Sequence, residues 1–344
     1  MNRFLRALSV PLAIALLLGG CATSRAELKP TGNSAFAQRP EVREYIDQLV
    51  RKDGFDKAEL QRQFDRVKLQ PAVIAAIKRP AESLPWYKYR RIFLTPARVR
   101  GGVAFWHKYR SALERAQKVY GVPPQMVTAI IGVETYYGRH MGRWPVFDSL
   151  ATLGFDYPPR ARFFQSQLTQ FLLLARQEKI DPFAVKGSYA GAMGMGQFMP
   201  GSYRAYAVDF DDNGQRDLWN DPIDAIGSVA NYLAVHGWQA GAGVAVPASV
   251  KGDPYATRRP AARPALTLAQ LRAQGIRPQA RLAGGGPYSV IRLDAAGGPE
   301  YWVGAKNFYV IMRYNYSPLY AMAVYQLSQD IKRAYHQGAS GDAQ

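Results

Sequence analysis

Apolar residues recur at helical spacing through the first third of the chain. Val42, Tyr45, Ile46, Leu49 and Val50 share one face, and Asp56 with Glu59 forms a capping-box pair ahead of Leu60, Phe64 and Val67. Thr95-Pro96 opens a long helix through Val99, Val103, Trp106, Leu113 and Tyr120. A short apolar helix follows over Val122 to Gly138, then another over Arg160 to Lys179 with Phe164, Leu168, Phe171, Leu172 and Ala175 spaced for burial. From Gly241 to about Gly298 the texture changes to Pro, Gly, Arg and Ala, with alternating pieces such as Ser289 to Leu293 and Tyr301 to Val303 that read as strands. Helical spacing returns over Leu319 to Tyr335, and no internal repeat is apparent. The pattern predicts an α+β chain that is mainly α: a helical region over 40–121, a central unit over 122–240, a small β-rich insertion over 241–304, a return over 305–336 and a tail over 337–344.

Within Val122 to Gly138 one position breaks the apolar pattern. Pro123 or Pro124 suits the first turn and Gly138 suits the stop, so Glu134 shares a face with Ile131, Ile130 and Val127. A carboxyl on that face is desolvated, which disfavours its charged form and makes a general acid that keeps its proton near neutrality. Taken alone, the same pattern also fits a helix-end Glu held by a local hydrogen bond.

Composition narrows the compartment. Residues 1–21 begin with Arg3 and Arg6, continue as an apolar run from Leu8 to Leu18 that is too short to span a bilayer, and end in Leu18-Gly19-Gly20-Cys21. That is an export signal, and its ending resembles the lipobox of bacterial lipoproteins, which implies a lipidated Cys21. The linker would run over 22–39, and Ala22 implies an outer-membrane lipoprotein facing the periplasm of a Gram-negative bacterium. Cys21 is the single cysteine, so the chain forms no internal disulfide. Lys+Arg 44 against Asp+Glu 26 gives a net charge of +18, which calls for a polyanionic partner. An exported protein without basic and aromatic interleaving is not a nucleic-acid binder.

Two segments carry further chemistry. Lys186 to Tyr203 packs glycines at 187, 191, 194, 196 and 201 around Ser188 and Gln197, a density that lets backbone approach backbone or ligand, and it does not match a phosphate loop. Asp209 to Asn220 reads as an EF-hand-like calcium loop: oxygen ligands at Asp209, Asp211 and Asn213, the turn at Gly214, the Gln215 carbonyl, then Asp217. The closing Glu is replaced by Asn220, leaving Asp221 or Asp224 to complete the site within a loop reaching 224. Calcium there is structural, and catalysis calls for no cofactor. The four histidines lie singly and make no zinc pattern. Trp86 reads as core, while Tyr89 is open between core packing and stacking on a sugar ring.

Several ordered segments together match one family. Gly132-Val133-Glu134-Thr135, Tyr157-Pro158-Pro159-Arg160, Lys186-Gly187-Ser188, Ala190 to Gly194, Gly196 to Pro200 and Asp224 to Tyr232 resemble the lytic murein transglycosylase B family, glycoside hydrolase family 103. The resemblance spans nearly the whole chain after the signal. It implies a lysozyme-like catalytic core with Glu134 as the acid, and glycan contacts at Tyr89, Arg160, Ser188, Gln197, Tyr232, Tyr314, Asn315 and Tyr320. It also implies calcium at Asp209, Asp211, Asn213, Gln215 and Asp224, and peptidoglycan strands and cell-wall synthesis proteins as partners. Pro159 stands where the family has a second cleft arginine, and the calcium loop is one residue longer. The implied reaction is non-hydrolytic, with Glu134 serving first as acid and then as base. The alternatives are a hydrolytic muramidase using Asp148, Asp156 or Asp181 as second carboxylate, and a non-catalytic peptidoglycan-binding lipoprotein.

Overall fold

The computed structural model describes residues 36–79, 81–255, 260 and 262–341; the export signal and Cys21 lie outside them. After a 3₁₀ turn at Phe36–Gln38, the chain forms α1 (Pro40–Asp53), α2 (Lys57–Asp65), α3 (Pro71–Ile77), α4 (Trp86–Phe93), α5 (Pro96–Lys108) and α6 (Arg110–Tyr120). Asp56 caps α2 by accepting the Glu59 N–H at 2.7 Å, but Glu59 accepts from Gln63 instead of the Asp56 N–H, so only half of the capping box forms. The helix expected to run unbroken from Pro96 to Tyr120 divides at Tyr109 (φ −114°, ψ 30°). No breaker in the sequence marks the point. The division is tertiary, because α5 and α6, while sharing one later helix, pack chiefly against two different ones.

α7 (Pro124–Thr135) is the centre of the core. It is apolar all round, as a fully buried helix must be, and every residue of it except Gln125 is buried. It ends earlier than Gly138, since Tyr136, Tyr137 and Gly138 all take left-handed conformations (φ 52°, 61° and 83°). Two side chains hold this reversal. The Thr135 hydroxyl donates to the Met195 carbonyl at 2.8 Å and accepts the Gly138 N–H at 3.0 Å, while the Tyr137 hydroxyl donates to the Arg98 carbonyl at 2.7 Å. The Tyr137 side chain fits only because Gly101, Gly102 and Gly132 lack side chains: a Cβ on Gly101 or Gly132 would lie within 2.8 Å of its ring, and one on Gly102 2.7 Å from its hydroxyl. The Arg98 guanidinium, buried, donates to the Gly132 and Ile92 carbonyls.

After α7 the chain forms β1 (Trp144–Pro145), α8 (Val146–Asp156), a 3₁₀ turn at Pro158–Arg160, α9 (Ala161–Glu178), β2 (Lys186–Gly187), α10 (Pro200–Tyr206) and α11 (Pro222–Val235), the last of which packs against α7. β1 and β2 pair antiparallel, with Trp144 opposite Gly187. The chain then leaves for a four-stranded antiparallel sheet of order β4-β3-β6-β5, formed by β3 (Ala245–Val250), β4 (Ile276–Pro278), β5 (Ser289–Ala295) and β6 (Gly298–Gly304), with α12 (Leu268–Ala273) beside it. Leu271, Ile276, Val290 and Val303 give this sheet a small core of its own. α13 (Lys306–Tyr314) and α14 (Pro318–Gly341) return to the main core, where α14 packs along α7 and α5. The Asn307 side chain clamps the junction by accepting the Gln239 N–H and donating to the Gln239 and Ala242 carbonyls. Among the described residues no helix is long and apolar enough to cross a membrane.

Candidate active site

Glu134 sits in the last turn of α7 with 6% of its surface exposed. One carboxyl oxygen accepts the Tyr320 hydroxyl of α14 at 2.6 Å, and the other is buried with no hydrogen-bond partner among the described residues. Burial pushes its pKa up from 4.5 to about 8; the Tyr320 hydrogen bond opposes this and the charge of Glu82 adds to it. At neutral pH the group is therefore a carboxylic acid.

Its walls come from distant parts of the chain. Tyr89, Tyr314 and Tyr320 all lie near enough to Glu134 for its charge to raise their own pKa values further, beyond the effect of burial. Tyr320 is wholly buried, and its ring lies nearly parallel to that of Tyr314 with centroids 6.4 Å apart. Tyr314 donates to the Gly196 carbonyl at 2.5 Å, which ties α13 to the glycine-rich loop. That loop is a set of tight backbone pairings: Met193 and Phe198 exchange both hydrogen bonds at 2.9 Å, and Met195 donates to the Leu218 carbonyl at 2.7 Å. A Cβ on Gly191 would fall 2.5 Å from Leu150. The Ser188 hydroxyl accepts the Ala192 N–H at 3.0 Å, which fixes its direction, and it is partly exposed. Gln197 takes a left-handed conformation (φ 49°) and donates to the Gly194 and Met141 carbonyls at 2.9 and 3.2 Å, so its amide is oriented by backbone.

Four of the expected glycan contacts stand differently. Tyr89 is fully buried between Trp86 and Phe93, so its ring cannot stack on a sugar, and its hydroxyl is buried too, with no hydrogen-bond partner among the described residues. Tyr232 spends its hydroxyl on the Arg313 carbonyl at 2.5 Å and packs its ring on His236 and Tyr314, so it supports Tyr314 from behind. Tyr320 is the partner of the acid and has no free face. Asn315 is buried and donates to the Glu82 carboxylate at 3.2 Å. Arg160 lies partly buried over Phe163 and Phe164, beside Tyr157 and Tyr189.

Glu82, in the 3₁₀ turn Ala81–Ser83 before α4, is the group that the sequence did not reveal. It lines a cavity of about 720 Å³ between α4, β5 and the α13–α14 connection. Its charge acts on Glu134, Tyr89 and Tyr189. No local pattern marks it, since its partner Asn315 lies 233 residues away. The three acids weighed as second carboxylates are engaged elsewhere. Asp148 accepts the Lys68 N–H at 3.1 Å, Asp156 pairs with Arg39 at 2.8 Å and Asp181 accepts the Phe183 N–H at 3.0 Å.

A second cluster lies in the 209–224 loop. Carboxylate oxygens of Asp209, Asp211 and Asp224 approach within 4.8 Å of one another, a set of hard oxygen donors that fits calcium. Asp224 is fully buried and also accepts the Phe210 and Asp217 N–H groups at 2.6 and 2.8 Å. Burial and the nearby Asp221 and Asp211 charges push its pKa up, the strain a cation would relieve. Asn213 joins through its side chain, which donates to Asp211 and accepts the Gln215 N–H. Asp217 and Asp221 are turned away as caps, Asp217 on Trp219 and Asn220 and Asp221 on the first turn of α11.

A dry carboxyl acid at the end of a buried helix, whose next residue, Thr135, is hydrogen-bonded to the glycine-rich loop at Met195, marks an enzyme of the lysozyme-like class. The profile of the transglycosylase SLT domain matches residues 37–329. The membrane-bound lytic murein transglycosylase B of Escherichia coli K12 is 46% identical over 317 residues, 87% of this chain and 84% of its own. Escherichia coli Slt35, solved in complex with calcium, is 47% identical with a TM-score of 0.81, covering 87% of this chain and 95% of that one. Pseudomonas aeruginosa SltB3, solved with NAG-anhNAM-pentapeptide, is 32% identical with a TM-score of 0.70, covering 85% and 79%. The chain belongs to the SLT-domain lytic transglycosylase family.

Proposed function

We propose that this protein cleaves peptidoglycan between N-acetylmuramic acid and N-acetylglucosamine without consuming water, leaving a 1,6-anhydro end. The observation that carries this reading is Glu134, a carboxyl group kept protonated by burial while Asp148, Asp156 and Asp181 are held in structural hydrogen bonds. Glu134 gives its proton to the glycosidic oxygen as the bond to the anomeric carbon breaks. The substrate's own acetamido group stabilises the positive charge. Glu134, now a carboxylate steadied by the Tyr320 hydroxyl, takes the proton of the muramic 6-hydroxyl as that oxygen bonds to the anomeric carbon. Atoms balance with no enzyme nucleophile. Tyr314, Ser188, Gln197, Asn315 and Arg160 would orient the glycan around this point, with the Tyr89 hydroxyl as a further polar contact.

The +18 charge suits the carboxylates of peptide stems, and the anhydro ligand of SltB3 is the product class expected. Calcium bound by Asp209, Asp211, Asn213, the Gln215 carbonyl and Asp224 would brace the loop that meets the glycine-rich segment through Leu218. Lipidation of Cys21 would place the enzyme at the outer membrane, facing the periplasm. The test is digestion of purified sacculi with mass analysis of the released ends. Anhydromuropeptides are expected from the natural chain and none from Glu134→Gln. Ends heavier by one water would mean hydrolysis, and binding without release would mean a non-catalytic protein.

A further inference from the structure

We propose that the loop between α7 and β1, with Lys186 on the paired strand, is a carboxylate-binding site that holds the acidic peptide stem of a glycan lying in the cleft. The inference rests on the lytic transglycosylase reading and adds a set of specificity residues to it: Arg139, Arg143 and Lys186. All three side chains are exposed, and none pairs with a carboxylate among the described residues. Arg39, Arg110, Arg216, Arg292 and Arg333 each have such a partner. The neighbouring chain offers none, since no acidic residue occurs between Glu134 and Asp148 or between Asp181 and Asp209.

Unpaired basic residues are common in a chain of net charge +18; what sets these apart is the attachment of their backbone to the cleft. The His140 N–H donates to the carbonyl of Thr135, the residue after Glu134, at 2.9 Å, which holds the start of the loop against the end of α7. The Gln197 amide donates to the Met141 carbonyl at 3.2 Å, and Pro145 lies opposite Lys186 in the β1–β2 pair. Gly142, at a φ of 96°, comes so close to the next segment that a Cβ there would lie 2.6 Å from the Ser188 nitrogen. The loop is thus fixed along its length to the helix of the acid and to two residues expected to orient the glycan. An anion that meets it is one carried by the sugar in the cleft, which favours stem carboxylates over a membrane surface. Two of the cations are also oriented. The Arg139 guanidinium lies 5.0 Å from the centre of the Tyr136 ring, and that of Arg143 lies 5.5 Å from the centre of the Trp144 ring. A guanidinium steadied by a ring keeps N–H groups for a carboxylate, which it can grip through two parallel hydrogen bonds. Groups already in place lose little freedom on binding.

The experiment is calorimetric titration of Glu134→Gln, whose loop is intact, with two soluble muropeptide oligomers: one natural, the other with its stem carboxylates converted to primary amides. The natural oligomer should bind about tenfold more tightly at low salt, the yield of three exposed ion pairs, and the difference should shrink as salt rises. Combining Arg139→Gln, Arg143→Gln and Lys186→Gln in the same background should remove most of that preference. Arg139→Lys with Arg143→Lys keeps the charge and should retain part of it. Each single glutamine should lower the preference about twofold, which keeps the test open if the triple variant does not fold. If the triple variant holds the full preference with the same salt dependence, or if the intact loop shows no preference, the proposal is overturned. Loss of binding to phosphatidylglycerol vesicles in the triple variant, with the muropeptide preference unchanged, would overturn it too by making the loop a membrane contact. Failure of the lytic transglycosylase reading shows separately, in the masses of the ends that the natural chain releases from sacculi.

Discussion

Replacing Glu134 with glutamine removes activity and at the same time makes the protein more stable above acidic pH. In the unfolded chain the carboxyl releases its proton near pH 4.5, whereas in the fold it holds it to about pH 8. The folded state thus binds the extra proton throughout that window, so stability falls as pH rises across it. Each pH unit is worth about 1.4 kcal/mol, which makes the burial of this group cost about 3 kcal/mol at pH 7. The glutamine side chain has the same shape and keeps an oxygen for the Tyr320 hydroxyl, yet it carries no ionisation to lose. Urea unfolding of both proteins from about pH 4 to about pH 8 measures the difference. The curves should coincide at the acidic end and diverge steadily, with Glu134→Gln the more stable by about 3 kcal/mol near neutrality, roughly a quarter or more of the total stability of an ordinary domain. Asp148, Asp224 and Glu82, whose pKa values are also raised by burial, are common to both proteins and cancel. A gap that does not change with pH would refute the reasoning, as would a glutamine variant less stable at the alkaline end.

Other consequences are as specific. Tyr320→Phe deletes the hydroxyl donor to the Glu134 carboxylate, a hydrogen bond to a charged group worth about 1.5–3 kcal/mol. The alkaline limb of the pH–rate profile should rise by about one unit or more while turnover falls at least about tenfold. Calcium should raise the unfolding free energy by about 2.7 kcal/mol at roughly a hundredfold excess over its dissociation constant. Asp211→Asn should abolish that gain, and thermal melts with calcium or chelator measure both. Gly142→Ala places a Cβ 2.0 Å from the Gly187 carbonyl oxygen at a φ of 96°, so the β1–β2 pair must open. A loss of about 2 kcal/mol or more and a parallel loss of turnover should follow, measured by melting and by sacculus digestion.

What could be read in advance was chemistry confined to one segment. α7 announced its burial because it is apolar on all sides, and Glu134 is the one acid in that run. The acidic loop was legible as a candidate cation site because Asp209, Asp211 and Asn213 follow one another within five residues. What escaped reading depends on partners far along the chain. The division at Tyr109 arises because α5 and α6 answer to different neighbours, and nothing in residues 105–113 encodes that. The role of Tyr232 is set by the Arg313 carbonyl, and the setting of Glu82 by Asn315. Asp224 could not be grouped with Asp209 and Asp211 from spacing, because it is the fold and not the chain order that brings its carboxylate within 4.8 Å of theirs.

The sheet between α11 and α13 starts and finishes at one doorway. Ala245 on the way out lies opposite Gly304 on the way back, and the Ala305 N–H closes onto the Val244 carbonyl at 2.9 Å. A segment hung from adjoining hinges adds little closure entropy whatever its length. It behaves as an interchangeable cassette: grafting a longer, shorter or foreign module there would redesign what lies beside the cleft while the helix that carries Glu134 keeps its seat.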